Sequence, residues 1–127
     1  MKKRIYISGP ISGLDKEECI KRFGEIEKML SDEGFRVFNP LKNGLPFDAD
    51  THSHMRRDLN ILTNEEDPFD YIFMMKRWTH SAGCYKEFED AIACGISVIF
   101  EELSFRDGAR RYTRCYTKHG YAAIKFE

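Results

Sequence analysis

The sequence predicts a single α/β domain whose mainly parallel sheet of five strands carries helices on both faces. Three observations predict it. Short runs rich in apolar, β-branched and aromatic residues recur at 3–8, 35–38, 70–75, 97–100 and 121–126. The segments between them repeat their apolar residues at the three-and-four spacing of helices. A chain of 127 residues has room for one core and not for two. Strict alternation of strand and helix implies parallel strands joined by crossovers.

Residues 3–8 read as a buried first strand. Asp15 is placed to cap a helix over 15–33, with Glu18 in the capping-box position. Ile20, Phe23, Ile26 and Leu30 are expected on its packed face. Gly34 stops it, and 35–38 form a short second strand. Residues 41–51 show no period and read as a long loop, of the kind that is often functional in a small domain. A second helix covers 53–62 with Met55, Leu59 and Leu62 inward, which leaves Asp58 as an acid beside a core face. The run 70–75 is apolar enough for a strand covered on both sides. Ser81 or Ala82 opens a third helix, with Phe88, Ala91, Ile92 and Gly95 as its packing stripe, and 97–100 follow as a fourth strand. Phe105, Ala109, Tyr112 and Tyr116 suggest a fourth helix over 105–119. Arg106, Arg110, Arg114 and Lys118 would form a basic row along it, either a solvated face or a subunit contact. Residues 121–126 make the fifth strand.

The bulk properties exclude several classes. A net charge of −1 argues against a non-specific nucleic-acid binder. No apolar run reaches the length of a membrane helix, and the basic start is followed by no signal-peptide core. A cytoplasmic protein without nucleic-acid or membrane partners is expected. Cys19, Cys84, Cys94 and Cys115 form no Cys-x-x-Cys pair, so free thiols are expected. The histidines have no metal-like spacing with acids, and neither a metal nor an organic cofactor is expected.

Two stretches could carry chemistry. In "YISGPISG" the first strand runs into Ser8, Gly9, Pro10, Ile11, Ser12 and Gly13. The glycines allow a backbone to approach a ligand, and the hydroxyls can meet a sugar or phosphate. The same pattern can be a plain turn, because it is neither a Walker loop nor a GxGxxG fingerprint. In "RWTHSAGCYKEFEDAIACG", Glu87 lies on the second turn of the third helix, beside the packing stripe. A lone helical Glu is ordinarily a solvated charge. Near the carboxyl ends of the strands, however, it would face the ligand crevice, where the helix end favours its ionised form. Such a carboxylate can attack an electron-poor carbon. Trp78 and Tyr6 are candidates for stacking on a base. Ser81 reads first as a helix cap.

Four stretches in this order, "YISGPISG", "HMRRDLNIL", "DYIFMMKRW" and "SAGCYKEFEDAIACGISVIF", resemble the nucleoside 2-deoxyribosyltransferase superfamily over residues 3–102. The nearest likeness is to its short, uncharacterised bacterial and phage branch. The resemblance implies a flavodoxin-like three-layer sandwich. It implies cleavage of the N-glycosidic bond of a 2′-deoxynucleoside or its 5′-monophosphate, by hydrolysis or base exchange, and a homo-oligomeric assembly. The family's Glu-x-x-x-Ala pattern lands on Glu87 and Ala91, which makes Glu87 the nucleophile. Asp58 matches an acid near the reacting centre, and Asp70 an acid expected to be structural. The residues from Ser8 to Gly13, with Ser81 and Gly83 of the small-residue turn, would hold the sugar. The first loop has Pro10 and Ile11 where the hydrolase branch has Arg, and base and phosphate preference stay open. A nucleotide-sensing module without catalysis and a glycohydrolase acting on NAD are the alternative classes.

Overall fold

In the computed structural model the chain runs through β1 (Arg4–Ser8), α1 (Lys16–Asp32), β2 (Arg36–Phe38), α2 (Thr51–Leu62), β3 (Tyr71–Met74), α3 (Ala82–Ala93), β4 (Ser97–Phe100), β5 (Phe105–Asp107), β6 (Arg110–Thr117) and β7 (Gly120–Phe126). Short 3-10 turns occupy Pro40–Lys42 and Trp78–His80. The structure describes residues 2–101, 105–107, 110–117 and 120–126, with side chains described as far as residue 101.

Four strands form the parallel part of the sheet in the order β2-β1-β3-β4. From β1 the chain steps to one side for β2 and then crosses back for β3 on the other. The loops leaving β1 and β3 therefore diverge at the carboxyl edge, and a crevice opens between them. This four-stranded part with its three helices is consistent with a flavodoxin-like fold.

Both faces of the sheet are covered, which is why its strands read as unbroken apolar runs. On one face Phe23, Ile26 and Leu30 of α1 pack against Ile5, Ile7, Phe73 and Ile99. On the other, Leu62 of α2 and Cys84 and Ala91 of α3 pack against Tyr6, Ile72, Met74 and Val98. The two-residue period of β1 and β3 divides their side chains between these clusters.

Each helix begins at a side-chain cap. The carboxylate of Asp15 accepts from the Glu18 amide at 3.1 Å and that of Asp50 from the Ser53 amide at 2.8 Å, while Ser81 Oγ accepts from the Cys84 amide at 3.2 Å. Asp70 is structural, as expected: its carboxylate accepts from the Arg4 amide at 2.8 Å and ties the start of β3 to β1.

The structure corrects the expected carboxyl-terminal part. Residues assigned to a fourth helix form β5 and β6, and β6 runs antiparallel to β4 where a helix was expected. β7 then pairs along β6, also antiparallel. The misreading has a simple cause. A spacing of four is a multiple of two, so it suits one face of a strand as well as one face of a helix. Thr and Tyr at 112, 113, 116 and 117 favour the strand, and Asp107-Gly108 is a hairpin signal in the sequence. Of the expected basic row, Arg106 lies on β5 and Arg110 and Arg114 on β6. Lys118, Ala109 and His119 lie outside the described residues.

Three expected packing positions are exposed, among them Gly95, which lies beyond the end of α3. Ile20 is half exposed, and Cys19 takes its place in the α1 stripe; Ile92 is exposed as well. On α3 the buried positions are Cys84, Glu87 and Ala91, so the acid lies within the stripe and not beside it. Among the described residues Cys19, Cys84 and Cys94 are free, and no helix is long and apolar enough to cross a membrane.

The α1 stripe gives a direct check. Leu30 has no exposed surface, so Leu30→Ala should cost about 2–5 kcal/mol. Ile20→Ala on the same helix should stay within about 0.5 kcal/mol of the parent. Equilibrium urea unfolding of the two variants measures the difference.

Candidate active site

The opening loop is built by packing as much as by any ligand. Ser8 ends β1 with its carbonyl accepting from the Met75 amide at 2.8 Å. A Cβ on Gly9 would clash with Met75 Sδ and lie 3.0 Å from Phe23 Cζ, so any larger residue here would have to displace the Met75 and Phe23 side chains. Gly13 has φ +79, a left-handed conformation that glycine adopts freely. Between them Pro10, Ile11 and Ser12 form one wall of a cavity of about 410 Å³ at the carboxyl edge of the sheet. That volume suits a small organic ligand.

The opposite wall is the start of α3, with Ser81, Gly83 and Cys84, and Glu87 lies one turn deeper. Helical spacing puts Cys84, Glu87 and Ala91 in one row facing the sheet. Glu87 is only 6% exposed, and two groups from β1 meet its carboxyl. The Tyr6 hydroxyl bonds to Oε2, and Ser8 Oγ donates to Oε1 at 3.0 Å. Tyr6 itself has no exposed surface; its ring packs on Phe38 and Phe69.

The third side comes from α2 and the residues before it. Asp58 is 6% exposed and lines the cavity. Asn43 Nδ2 donates to Asp58 Oδ1 at 2.9 Å. His54, one turn earlier on α2, also lines the cavity and contacts Asn43. Pro40, Leu41 and Phe47 complete an apolar flank.

Two carboxyl groups in one partly dry wall cannot both ionise easily. Burial pushes Glu87 up to about 8; the Asp58 charge adds to this, while the Tyr6 and Ser8 hydrogen bonds oppose it. Burial also raises Asp58, but the Asn43 amide, His54 and Arg57 counter the rise. Tyr6 is raised well above its ordinary value by burial and by Glu87. Near neutral pH Glu87 therefore holds a proton. This corrects the expectation that the helix end keeps it ionised: desolvation and a neighbouring acid outweigh a partial charge one turn away.

Most expected site residues converge. Gly9, Pro10, Ile11, Ser12, Gly13, Asp58, Ser81, Gly83 and Glu87 all line the one cavity. Tyr6 and Ser8 stand behind Glu87 and orient it. Trp78 is placed elsewhere: its ring packs on Tyr85, Phe88 and Phe100 at 4.9, 5.1 and 5.9 Å between centroids, and it does not line the cavity. Since the Tyr6 ring is wholly buried, neither expected stacking ring faces a ligand. Phe47 and Asn43 are not singled out by the sequence, and His54 is weighed there only as a metal ligand. A long loop holding an aromatic residue and a short polar residue, just before a helix that carries an acid, was the available signal.

Residues 3–100 match the model of a family described as a domain of unknown function (DUF4406). No curated protein matches the chain.

Glu87 makes stability depend on pH. Between about 4.5 and 8 the unfolded chain releases this proton while the folded protein keeps it, so this group's contribution is lost as pH rises through the folded value. Gln in its place has no proton to lose. The melting temperature of Glu87→Gln relative to the parent should therefore climb from pH 5 to about pH 8 and level off above it, as followed by circular dichroism.

Proposed function

We propose that the chain, which belongs to the DUF4406 family, cleaves the N-glycosidic bond of a 2′-deoxynucleoside or its 5′-monophosphate, with Glu87 as nucleophile. The observation that carries this reading is the buried Glu87 carboxyl, gripped by Tyr6 and Ser8 and aimed at a ligand-sized cavity that Asp58 also lines. A carboxyl placed for solubility would be neither buried nor held by two hydroxyls. The resemblance to the deoxyribosyltransferase superfamily supports the same reading.

The step follows the two-stage logic of retaining glycosidases. The Glu87 carboxylate attacks C1′ as the bond to the base breaks, and the electron pair leaves with the base. Asp58 delivers a proton to that base. Water or the N–H of a second base then attacks C1′, its proton passes to the Asp58 carboxylate, and the C1′–Glu87 bond breaks to free Glu87, which gives hydrolysis or base exchange. Near neutral pH the proton of the pair rests on Glu87, and the reaction uses the form in which it has passed to Asp58, leaving Glu87 as the carboxylate. The cationic sugar of the transition state is favoured by the negative charge left on the pair. The Ser12 hydroxyl and the backbone of residues 9–13 hold the sugar.

The test is a base-release assay with deoxynucleosides, their 5′-monophosphates, ribonucleosides and NAD, with and without an acceptor base. Release should require a 2′-deoxy sugar. It should fall about 10³-fold or more in Glu87→Gln and about 10²–10⁴-fold in Asp58→Asn. Because the working form holds one shared proton, the rate should fall above about pH 8. Tight nucleotide binding without release would replace the enzyme reading with a sensor. Release of nicotinamide from NAD would replace the substrate.

A further inference from the structure

A single buried amide connects the loop over the cavity to its acid. Asn43 is 5% exposed, and its side chain is committed on every side. Oδ1 accepts from the Leu45 backbone amide at 2.9 Å. Nδ2 faces Asp58 Oδ1 at 2.9 Å and His54 Nδ1 at 3.1 Å. The Asn43 carbonyl accepts from Arg57 Nη1 at 3.2 Å.

These contacts determine one another. A backbone N–H can only donate, so the atom facing Leu45 must be the amide oxygen, and the nitrogen must face Asp58 and His54. An amide nitrogen can only donate, so His54 Nδ1 must accept. The ring proton then sits on Nε2, where the Phe47 carbonyl lies 3.2 Å away to receive it. His54 is thereby used at both nitrogens as a neutral latch on residues 43–47. The two amide protons are shared out, one to the acid and one to the imidazole.

We infer that Asn43 is the positioning residue of this site: its amide orients Asp58 toward the cavity and holds His54 as the neutral Nε2–H tautomer, so that the loop and the acid are set together. The role assigned to the acid rests on the reading of Asp58 as proton donor; the hydrogen-bond logic does not. The charged and titratable groups bearing on Asp58 are His54 and Arg57 from its own helix, Glu87 from α3 and Tyr6 from β1. The Arg57, His54 and Tyr6 donors among these are already committed. Arg57 is occupied by the Asn43 carbonyl, His54 Nε2 by Phe47, and Tyr6 by Glu87.

The experiment is a substrate-free titration by nuclear magnetic resonance, reading the Asp58 side-chain carboxyl carbon and the His54 ring nitrogens. In the parent, His54 should show an unprotonated Nδ1 and a protonated Nε2 at neutral pH. In Asn43→Ala the Asp58 midpoint should move upward, because a donor to its charged form is gone. In Asn43→Asp, which keeps an acceptor for Leu45, it should also move upward, because a second carboxylate then stands beside Asp58. A merely structural asparagine would change the melting temperature and leave these midpoints in place. A parent His54 protonated on Nδ1 would overturn the inference without any variant, and so would an unmoved Asp58 midpoint in a folded variant. Where base release is found, Asn43→Ala should lower kcat roughly 10- to 100-fold with KM little changed. If no nucleoside releases its base while the titrations behave as stated, the functional reading fails and the positioning of Asp58 by Asn43 stands.

Discussion

The grip of Tyr6 and Ser8 on Glu87 is the contact that the rest of the site depends on. Two hydroxyls from one strand reach one carboxyl from a helix, across the interface between sheet and helix. Burying that carboxyl is costly, and hydrogen bonds compensate only in part. The residual penalty holds a proton on Glu87 and makes the group sensitive to anything that enters the cavity. A core of Leu and Ile in its place would be more stable. The chain instead places a titratable group where α3 packs on β1 and β3, a departure from good core packing typical of functional positions.

The topology supplies the rest. Because β1 lies between β2 and β3, its loop and the start of α3 separate at the edge of the sheet. The close packing of Gly9 on Met75 and Phe23 brings the first loop low enough to form one wall. The third wall needs Asp58 turned inward on α2, and that in turn needs the loop holding Asn43 folded against it. Three separate stretches of chain thus meet round one volume. Each is held by contacts to the same parallel strands or to one another.

The order of elements to residue 100 was legible in the sequence because each is marked locally. The caps at Asp15 and Ser81 were visible as residue types at the right spacing. The segment from 105 to 117 was not legible, since fourfold spacing of Arg and Tyr fits a helix and a strand alike, and pairing with β4 decided between them. Glu87, Asp58 and the loop at 8–13 could be picked out by position along predicted elements and by resemblance. Trp78 was misplaced because a sole tryptophan in a loop carries no mark of which way it faces; Phe88 and Phe100 draw it into the apolar layer.

The sequence by itself determined the α/β class, the parallel strands and the neighbourhood of the site, because these follow from periodicity, capping and the carboxyl-edge rule, all local or topological. The tertiary structure alone decided the protonation of Glu87, the partners of Asp58 and the tautomer of His54. Those depend on desolvation and on donors brought from residues far away in the chain, such as Tyr6 to Glu87 and Asn43 to Asp58. Such distances close only when the chain folds, so no pattern along it records them.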